Sequence, residues 1–570
     1  MKSLHRIGAA AGLCLGACVA ACLDHPLKPV NYDTEGVGSG ETAITVVRDV
    51  DILFVIDNSG SMAEEQATLA RNFERFVAAL EETEVDANYR IGITTTDAGH
   101  GVYCGTTGPE KGRLQASSCL DRRAEFVFPD EAGTIDSFDD ACGAICRFPG
   151  LATLPTATLN DPAASSRPWI ERIAGVTNLP EGVSPSDAFE CFGPQGIAGC
   201  GFEAPLEAMR QSLTRTFAES EPGYGFVRPG AILSVVFVTD EEDCSARQDD
   251  AFDTVWRPDG NHVFWSEQNA DATAPTSEVC WFAGVECSGG PGQYDDCQPA
   301  NFGVDGAPAD PDHGVLYDVQ QYVEFLQDLE DDKRRINPTA QVLVAVLGGV
   351  PSGYDEGMAE ITYADAGAAD ADFQRKHGIG PGCSSAAGRA VPPVRLRAFA
   401  DAFALSGDVR DRNLYSVCAD DYAPALQQIA DAITQQIAPA CMPVCVADTD
   451  ITTAELDPQC TMTELWRDLD AVEHEDDVPP CGGSSGAPEF PAGAAVCYRL
   501  KTDRNAGDDD ETADDLDPDC IAQGYNVEFE VLRTGEGERP AGSSIQANCI
   551  VSQLPERDCP SPDGVGSDSN

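Results

Sequence analysis

Residues 47–66, VRDVDILFVIDNSGSMAEEQ, carry a short apolar run that leads directly into a carboxylate and two hydroxyls. The run at 50–56 is nearly continuous rather than alternating, which is typical of a strand buried on both faces of a sheet. Apolar residues then recur at helical spacing, namely Leu69, Phe73, Phe76, Val77 and Leu80. The stretch therefore predicts a strand, a polar loop with Asp57, Ser59 and Ser61, and a helix.

The same alternation continues along the chain. The strand-like segments YRIGITTTD, GAILSVVFVTD, QVLVAVLGGV and RNLYSVCA are separated by amphipathic segments such as EAPLEAMRQSLTRTF and LYDVQQYVEFLQDLE. Short apolar strands separated by amphipathic helices indicate a parallel sheet with helices on both faces. For residues 47–438 the predicted fold class is therefore α/β, with a doubly wound, mostly parallel central sheet flanked by helices.

Three long segments interrupt this pattern, and a different pattern follows it. Residues 98–195 and 244–312 are irregular and rich in Gly, Pro and Cys, and residues 351–392 form a shorter insertion. Loops of this length are usually functional or cross-linked. Residues 439–559 are dense in cysteine and contain alternating pieces such as YNVEFEVL, which predicts a small β-rich disulfide domain. Residues 560–570 have the composition of a disordered tail.

The N-terminus has the features of an export signal. Lys2 and Arg6 precede an apolar core that is shorter than the roughly 20 residues of a membrane span. Residues 19–22, VAAC, resemble a bacterial lipobox, which implies a signal peptide at 1–21 and lipidation of Cys22. The alternative is an ordinary secretory signal.

Behind the lipidated cysteine, residues 22–46 are rich in Pro, Gly and polar residues and predict a flexible tether. The N-terminal lipid would then be the only attachment to the membrane. Leu23, rather than an acidic residue, follows Cys22. This favours the outer membrane or cell surface over the inner membrane.

The cysteines fall into even-numbered groups. The chain has 23, of which 20 remain after Cys14, Cys18 and Cys22 are set aside. Six lie from Cys104 to Cys200, four from Cys244 to Cys297, two at Cys383 and Cys418, and eight from Cys441 to Cys559. An even count in an exported chain predicts disulfides, and we expect them to form within these groups.

The charge balance and the lack of catalytic motifs narrow the possible functions. The 96 acidic and 36 basic residues give a net charge of −60, which repels nucleic acid and anionic lipid headgroups. Neither a G-x-x-x-x-G-K-[ST] phosphate loop nor a G-x-S-x-G elbow occurs. We therefore expect a chain that binds no nucleic acid and is not an enzyme.

Polar residues follow several of the predicted strands. In a doubly wound sheet, ligands bind at the carboxyl ends of the strands beside the reversal in strand order, and the acidic strand ends Asp57, Asp97 and Asp240 would gather there. A carboxylate backed by the hydroxyls of Ser59 and Ser61 is a hard oxygen site that suits Mg²⁺, with Mn²⁺ or Ca²⁺ as alternatives. Asp97 is expected to cap a helix or a turn rather than to be a metal ligand. The segment from Glu241 to Asp243 is expected to be a solvated acidic loop rather than a second cation site.

DNSGSM after an apolar strand resembles the D-x-S-x-S motif of von Willebrand factor type A (VWA) domains, the metal-ion-dependent adhesion site (MIDAS). The likeness covers about residues 49–438, through the order of strands and helices and the later segment VVFVTDEEDCS. It implies that Ser59 and Ser61 coordinate a metal directly, and that Asp57 and Asp240 act mainly through water. It also implies that an acidic residue of a protein partner takes the sixth position.

One ligand of the family has no counterpart. VWA domains use a threonine from the loop before the middle helix, whereas this loop reads GIAGCGFEAPLEAM and contains Glu203 but no threonine. Glu203 either supplies an oxygen to the metal or caps the following helix, since carboxylates stabilise helix N-termini. If Glu203 took the open position, the chain itself would satisfy the site.

These features predict a cell-envelope lipoprotein that binds a protein partner through a divalent cation, in adhesion or envelope assembly. The first alternative is a structural or scaffold module that binds through its disulfide-rich insertions and tail, independently of metal. The second alternative is a metal-dependent hydrolase.

Overall fold

A computed structural model describes residues 39–45, 48–82, 85, 87–99, 110–130, 133–173, 175–248, 251–337, 339–386, 388–405, 412–437, 440–452, 456–468, 472–484, 487–502, 516, 518–533 and 544–559. The predicted signal peptide, Cys22, residues 22–38 of the predicted tether and the predicted tail at 560–570 lie outside the described residues.

The described strands are β1 (Ser39–Thr45), β2 (Asp49–Ile56), β3 (Asn88–Thr95), β4 (Val127–Asp130), β5 (Gly133–Asp136), β6 (Pro155–Thr156), β7 (Ser165–Ser166), β8 (Trp169–Ile173), β9 (Val176–Thr177), β10 (Ile232–Val238), β11 (Val285–Gly290), β12 (Gln293–Pro299), β13 (Val342–Gly348), β14 (Tyr363–Ala364), β15 (Cys383–Ser384), β16 (Arg389–Ala390), β17 (Leu414–Ser416), β18 (Cys460–Arg467), β19 (Glu473–Val478), β20 (Gly482–Ser484), β21 (Ala487–Glu489), β22 (Val496–Thr502), β23 (Val527–Arg533) and β24 (Ser544–Ile550).

The described α-helices are α1 (Ala63–Leu80), α2 (Pro185–Phe192), α3 (Pro205–Arg215), α4 (Glu278–Gly284), α5 (Val319–Ile336), α6 (Ala371–His377), α7 (Val394–Asp401), α8 (Ala423–Thr434), α9 (Pro518–Ala522) and α10 (Pro555–Asp558). Among the described residues, no helix combines the length and apolarity needed to cross a bilayer.

Seven strands form a mixed central sheet in the order β17-β13-β10-β2-β3-β8-β9. The five strands from β17 to β3 are parallel, whereas β8 is antiparallel to β3, and β9 is antiparallel to β8. The chain enters this sheet at β2, adds β3 on one side and later places β10 on the other side. The strand order therefore reverses beside β2, and the carboxyl ends of β2 and β10 are neighbours, with Ile56 opposite Val238.

Helices cover both faces of this sheet because β2 is apolar on both. Ile52, Phe54 and Ile56 belong to a core that α1, α2 and α8 complete on one face. Leu53 and Val55 belong to a second core, completed by α3, α5 and α7 on the opposite face. All five side chains are fully buried, and each contributes about 2 kcal/mol of hydrophobic stabilisation. The predicted α/β class, with a large sheet flanked by helices, is confirmed.

The first insertion is shorter than predicted. Strands β8 and β9 lie within 98–195 but belong to the central sheet. The sequence of β8, WIERI, is short and contains two charged residues, so it lacks the apolar run of a buried strand. Its Glu171 is stabilised instead by a 2.6 Å ion pair with Arg90 of β3. A short strand that is held by an ion pair to its neighbour, with only the two-residue β9 beyond it, leaves little trace in the local sequence.

Residues beyond 439 are β-rich and join the N-terminal strand of the described chain. A four-stranded sheet has the order β1-β24-β18-β19, and β22 pairs with β23. β1 pairs with β24 along its whole length, so residues 39–45 belong to the folded body and not to the predicted tether. Its sequence, SGETAIT, has little hydrophobic pattern, and its position depends on main-chain pairing with a strand about 500 residues away.

Disulfides cross-link the insertions and the C-terminal region. The described bridges are Cys119–Cys142, Cys146–Cys191, Cys244–Cys280, Cys287–Cys297, Cys383–Cys418, Cys441–Cys520, Cys445–Cys559, Cys460–Cys549 and Cys481–Cys497. Each of them joins two cysteines of one predicted group, as expected. These bridges indicate an oxidising, extracytoplasmic compartment.

Candidate metal centre

Asp57 follows β2, and its carboxylate is fully buried at the junction with β10. Its Oδ2 accepts a 2.5 Å hydrogen bond from the hydroxyl of Thr239, and its Oδ1 accepts a 2.8 Å bond from the backbone N–H of Ser59. Burial raises the pKa of Asp57 to about 6, although these hydrogen bonds oppose the rise. Among the described residues, no basic side chain is paired with this carboxylate.

The loop after Asp57 brings two hydroxyls together. The Oγ atoms of Ser59 and Ser61 lie 3.2 Å apart, with Ser59 buried and Ser61 exposed. The ring of Phe128, from the first insertion, lies against Gly60 between them. The hydroxyl pair therefore marks the side on which the site is open to solvent.

Asp240 follows β10 and lies beside this loop. It is 6% exposed, and its Oδ1 has no hydrogen-bond partner. Burial, together with the charges of Asp57 and Glu241, raises its pKa well above the ordinary value, and a hydrogen bond from Ser61 opposes the rise. The structure thus brings the predicted residues Asp57, Ser59, Ser61 and Asp240 together at one edge of the sheet.

Glu203 reaches the same edge from the loop before α3. It is 2% exposed, and its Oε1 has no partner. Burial and the charges of Glu241, Asp57 and Asp240 raise its pKa well above the ordinary value. Its carboxylate is therefore close enough to these acids for their charges to act on it.

The alternative role of Glu203, as a cap of α3, is filled by other residues. Asp243 Oδ1 accepts a hydrogen bond from the N–H of Leu206 at 3.2 Å, and Ser245 Oγ accepts one from Glu207 at 3.0 Å. No side-chain capping bond is made at Ala204, where the helix begins. The orphan N–H groups of the first turn are thus satisfied without Glu203.

The predicted solvated loop after Asp240 is wrong in part, because Glu242 and Asp243 are buried. Glu242 accepts hydrogen bonds of 2.6 and 2.9 Å from the N–H groups of Val394 and Arg395 at the start of α7. Asp243 also forms a 3.0 Å ion pair with Arg395. These acids anchor helices, a role that depends on segments about 150 residues away and is invisible in the local sequence.

Asp97 caps a turn, as predicted. Its Oδ1 accepts a 2.9 Å hydrogen bond from the N–H of Gly99, two residues later. Asp97 therefore lies near the same edge of the sheet with a partner of its own.

Three residues of this edge were not predicted from the sequence. Thr239 orients Asp57 through the hydrogen bond described above. Gln66 of α1 donates to the carbonyls of Asp57 at 2.6 Å and Gly196 at 2.8 Å, and thereby joins the serine loop to the segment before α3. Glu65 is buried with an unpartnered Oε2, and burial raises its pKa to about 7. The only sequence signal for any of these three residues was the position of Thr239 directly before Asp240.

The third insertion closes one side of the site. The N–H of Val391 donates to the backbone carbonyl of Asp240 at 2.8 Å, and His377 Nδ1 lies 3.0 Å from the carboxylate of Glu241. Gly388 lies beside Glu65, because a Cβ built on it would meet Glu65 Oε1 at 3.3 Å. The third insertion therefore covers part of this acidic edge.

Buried carboxylate oxygens without partners are costly, because ionised oxygen loses its hydration without replacement. Three acids of this edge have one such oxygen each, and these acids are Glu65, Glu203 and Asp240. Within the described part of the chain, no group of three or more His, Cys, Asp or Glu side chains is arranged to hold a metal ion. A site that takes two of its ligands from serine hydroxyls does not require such a group.

The sequence matches no protein-family model, and no curated protein matches it either. Among solved structures, the chain is similar to the pilus adhesin SpaC from Lactobacillus rhamnosus GG in two crystal structures, at 10% and 9% identity and TM-scores of 0.28 and 0.27. It is also similar to the pilus adhesin RrgA from Streptococcus pneumoniae, at 8% identity and a TM-score of 0.24.

These matches cover 90% of the chain, which spans 42% and 41% of SpaC in its two structures and 58% of RrgA. At these TM-scores we base no assignment of fold or function on the likeness.

Proposed function

We propose that this chain is a VWA-type protein of the cell envelope that binds a protein partner through a divalent cation at the edge formed by Asp57, Ser59, Ser61 and Asp240. The observation that carries the proposal is their convergence beside the reversal in strand order, with a buried, unpartnered oxygen on Asp240. Ligands of α/β sheets bind at this position.

The strand order supports the VWA assignment. Counting the central strands along the chain as one to six, from β2 to β17 and leaving out the short edge strand β9, the sheet has the order 6-5-4-1-2-3. The third of them, β8, is the antiparallel member. The D-x-S-x-S segment follows the first strand, and the TD pair follows the fourth.

The donor atoms fit a hard cation. All the candidate ligands are carboxylate or hydroxyl oxygens, which suit Mg²⁺, Mn²⁺ or Ca²⁺. A positive charge would meet the unpartnered oxygen of Asp240 and lower the pKa values that burial and mutual repulsion raise. The chain's own Glu65, Glu203 and Glu241 add negative charge that would attract the cation.

Each residue has a distinct task in this proposal. Ser59 and Ser61 supply neutral oxygens directly, and Asp57 and Asp240 balance the charge and orient bound water. Thr239 and Gln66 hold Asp57 and its loop in place through the hydrogen bonds described above. The bound cation would supply an electrophile for an acidic residue of the partner, on the side where Ser61 is exposed.

The envelope location also belongs to this proposal. The disulfides place the chain outside the cytoplasm, and the VAAC segment at 19–22 would anchor it by a lipid on Cys22. Radiolabelled palmitate incorporated by the wild type but not by Cys22→Ala would support the anchor. Incorporation that Cys22→Ala leaves unchanged would contradict it.

Calorimetric titration of Mg²⁺, Mn²⁺ and Ca²⁺ into a chelator-treated soluble form, residues 23–570, tests the cation site. We expect one saturable site that Asp57→Asn abolishes. The matched control is Asp97→Asn, which removes a buried carboxylate near the same edge that already has its own partner. No saturable heat, or equal loss in both variants, would contradict the proposal and favour metal-independent binding through the disulfide-rich segments.

A further inference from the structure

We infer that Glu203 is an internal ligand of the proposed cation site, and that it takes the position that a partner's carboxylate must occupy. The chain would then close its own site in the resting state, and an acidic partner would have to displace Glu203. The inference rests on the proposed cation site, and it adds that Glu203 competes with the partner's carboxylate for the cation.

The first support is the unsatisfied oxygen. Glu203 is buried to 98% of its surface, yet its Oε1 has no hydrogen-bond partner. A buried, ionised carboxylate oxygen without a partner carries a large cost in free energy. A cation bound by the hydroxyls of Ser59 and Ser61, with Glu203 as its one direct carboxylate ligand, would remove this cost.

The second support is that the structural role open to Glu203 is already filled. The N–H groups at the start of α3 bind Asp243 and Ser245, as described above. A capping role would have paired the oxygens of Glu203 with those groups. Its free oxygen is therefore not explained by helix stabilisation.

The third support is the way in which the loop is fixed. Gly199 N–H donates to Asn58 O at 2.8 Å, Ala204 N–H donates to Thr96 O at 2.9 Å, and Glu203 O accepts from Cys244 N–H at 2.7 Å. These bonds tie the loop to the segments that follow β2, β3 and β10. Glu203 is thereby held between the Asp57 loop and the Asp240 loop.

The consequence is a site with more negative charge than a single divalent cation balances. Asp57, Asp240 and Glu203 together carry three negative charges when ionised, so a fourth carboxylate from a partner would be repelled unless Glu203 moved away. A neutral side chain in place of Glu203 would leave the cation short of negative charge and open to the partner. The carboxylate of Glu203 thus favours cation retention over partner binding.

The test uses Mn²⁺ with the same soluble form, residues 23–570, and measures its affinity by calorimetry and its bound water by proton relaxivity. We expect Glu203→Ala to lower the Mn²⁺ affinity about tenfold or more, as loss of a metal partner does. We also expect it to raise the relaxivity of bound Mn²⁺, because a water molecule would take the vacated position. Glu203→Gln keeps the shape of the side chain and serves as the second variant if Glu203→Ala does not fold.

The matched control is Glu241→Gln. Glu241 acts on the same three carboxylates through its charge, but its own Oε2 is paired with His377 Nδ1. We expect this variant to lower the affinity less than Glu203→Ala does, because it removes a nearby charge but no ligand, and to add no water. If the Glu203 variants behave like Glu241→Gln, the internal ligand is refuted while the cation site stands. If the wild type shows no Asp57-dependent binding of Mn²⁺, both proposals fail.

Discussion

Strand β2 has a buried aspartate near each end, and the two have opposite surroundings. Asp51 accepts hydrogen bonds from the N–H and Nε of Arg228 at 2.6 and 2.8 Å, and Lys333 Nζ lies 3.8 Å from it. Asp57 accepts from the N–H of Ser59 and the hydroxyl of Thr239, and among the described residues no basic side chain is paired with it. The charge that acts most strongly on Asp57 is that of an acid, Glu241.

The difference shows at which end of the sheet the chain itself compensates the buried charge. A buried charge is tolerated when an opposite charge or several donors compensate it. At the amino end, the chain supplies its own cations. At the carboxyl end it supplies further carboxylates, so the compensation has to come from protons or from a bound cation.

The largest loss of stability is expected at the amino end of β2, where Arg228 and Lys333 compensate Asp51. Asp51→Ala would remove the buried carboxylate beside Arg228 and Lys333 and leave Arg228 with the more exposed Asp49, and breaking such a buried pair costs roughly 3–5 kcal/mol. Urea unfolding monitored by circular dichroism measures the loss, which should be the same with and without divalent cations. A loss below about 1 kcal/mol, the range of surface pairs, would show that the two ends do not differ as described.

The next effect is a pH dependence of stability that arises at the carboxyl end of β2, where Asp57 lies. The pKa of Asp57 is raised from 3.8 to about 6, so in this range the folded state binds more protons than the unfolded state. The free energy of unfolding of the chelator-treated protein should therefore fall as the pH rises from about 4 to above 6. A shift of about two units corresponds to roughly 3 kcal/mol.

The comparison with Asp57→Asn measures the contribution of Asp57 together with the effect of its charge on Asp240 and Glu203. We expect the stability difference between the wild type and this variant to change by that amount between pH 4 and pH 7, in favour of the variant at the higher pH. Divalent cations should remove the dependence in the wild type alone. Parallel pH profiles in the two proteins would contradict the buried, uncompensated state of Asp57.

The smallest effect is expected from a positioning residue. Thr239→Val removes the hydroxyl that donates to Asp57 Oδ2, a loss of about 1 kcal/mol, which corresponds to about a fivefold weaker cation affinity. Calorimetric titration measures the change. Thr216→Val is the control, because it removes a buried hydroxyl that donates to Leu213 O in the turn after α3, and it should leave the affinity unchanged.

The parts of the fold that depend on local pattern were predictable from the sequence. The apolar runs of β2, β10 and β13 and the spacing in α1 and α5 gave the sheet and its flanking helices, because burial on two faces or on one stripe produces a periodic sequence. The grouping of the cysteines predicted that each described bridge would join two cysteines of the same group. The pairing within each group depends on which chain segments approach each other.

The parts that depend on distant segments were not predictable. β1 and β8 are short and weakly patterned, and only their strand partners place them in their sheets. Glu242 and Asp243 are polar in sequence, and their burial follows from the helices that they cap.

For the candidate site, the sequence by itself determined which residues follow the strands, namely Asp57 with its two serines and Asp240. Only the tertiary structure decided that these residues lie together, that Glu203 faces them without capping α3, and that no basic side chain among the described residues compensates Asp57. The physical reason is that hydrophobic periodicity is local, whereas the compensation of a buried charge is a property of all the segments that surround it.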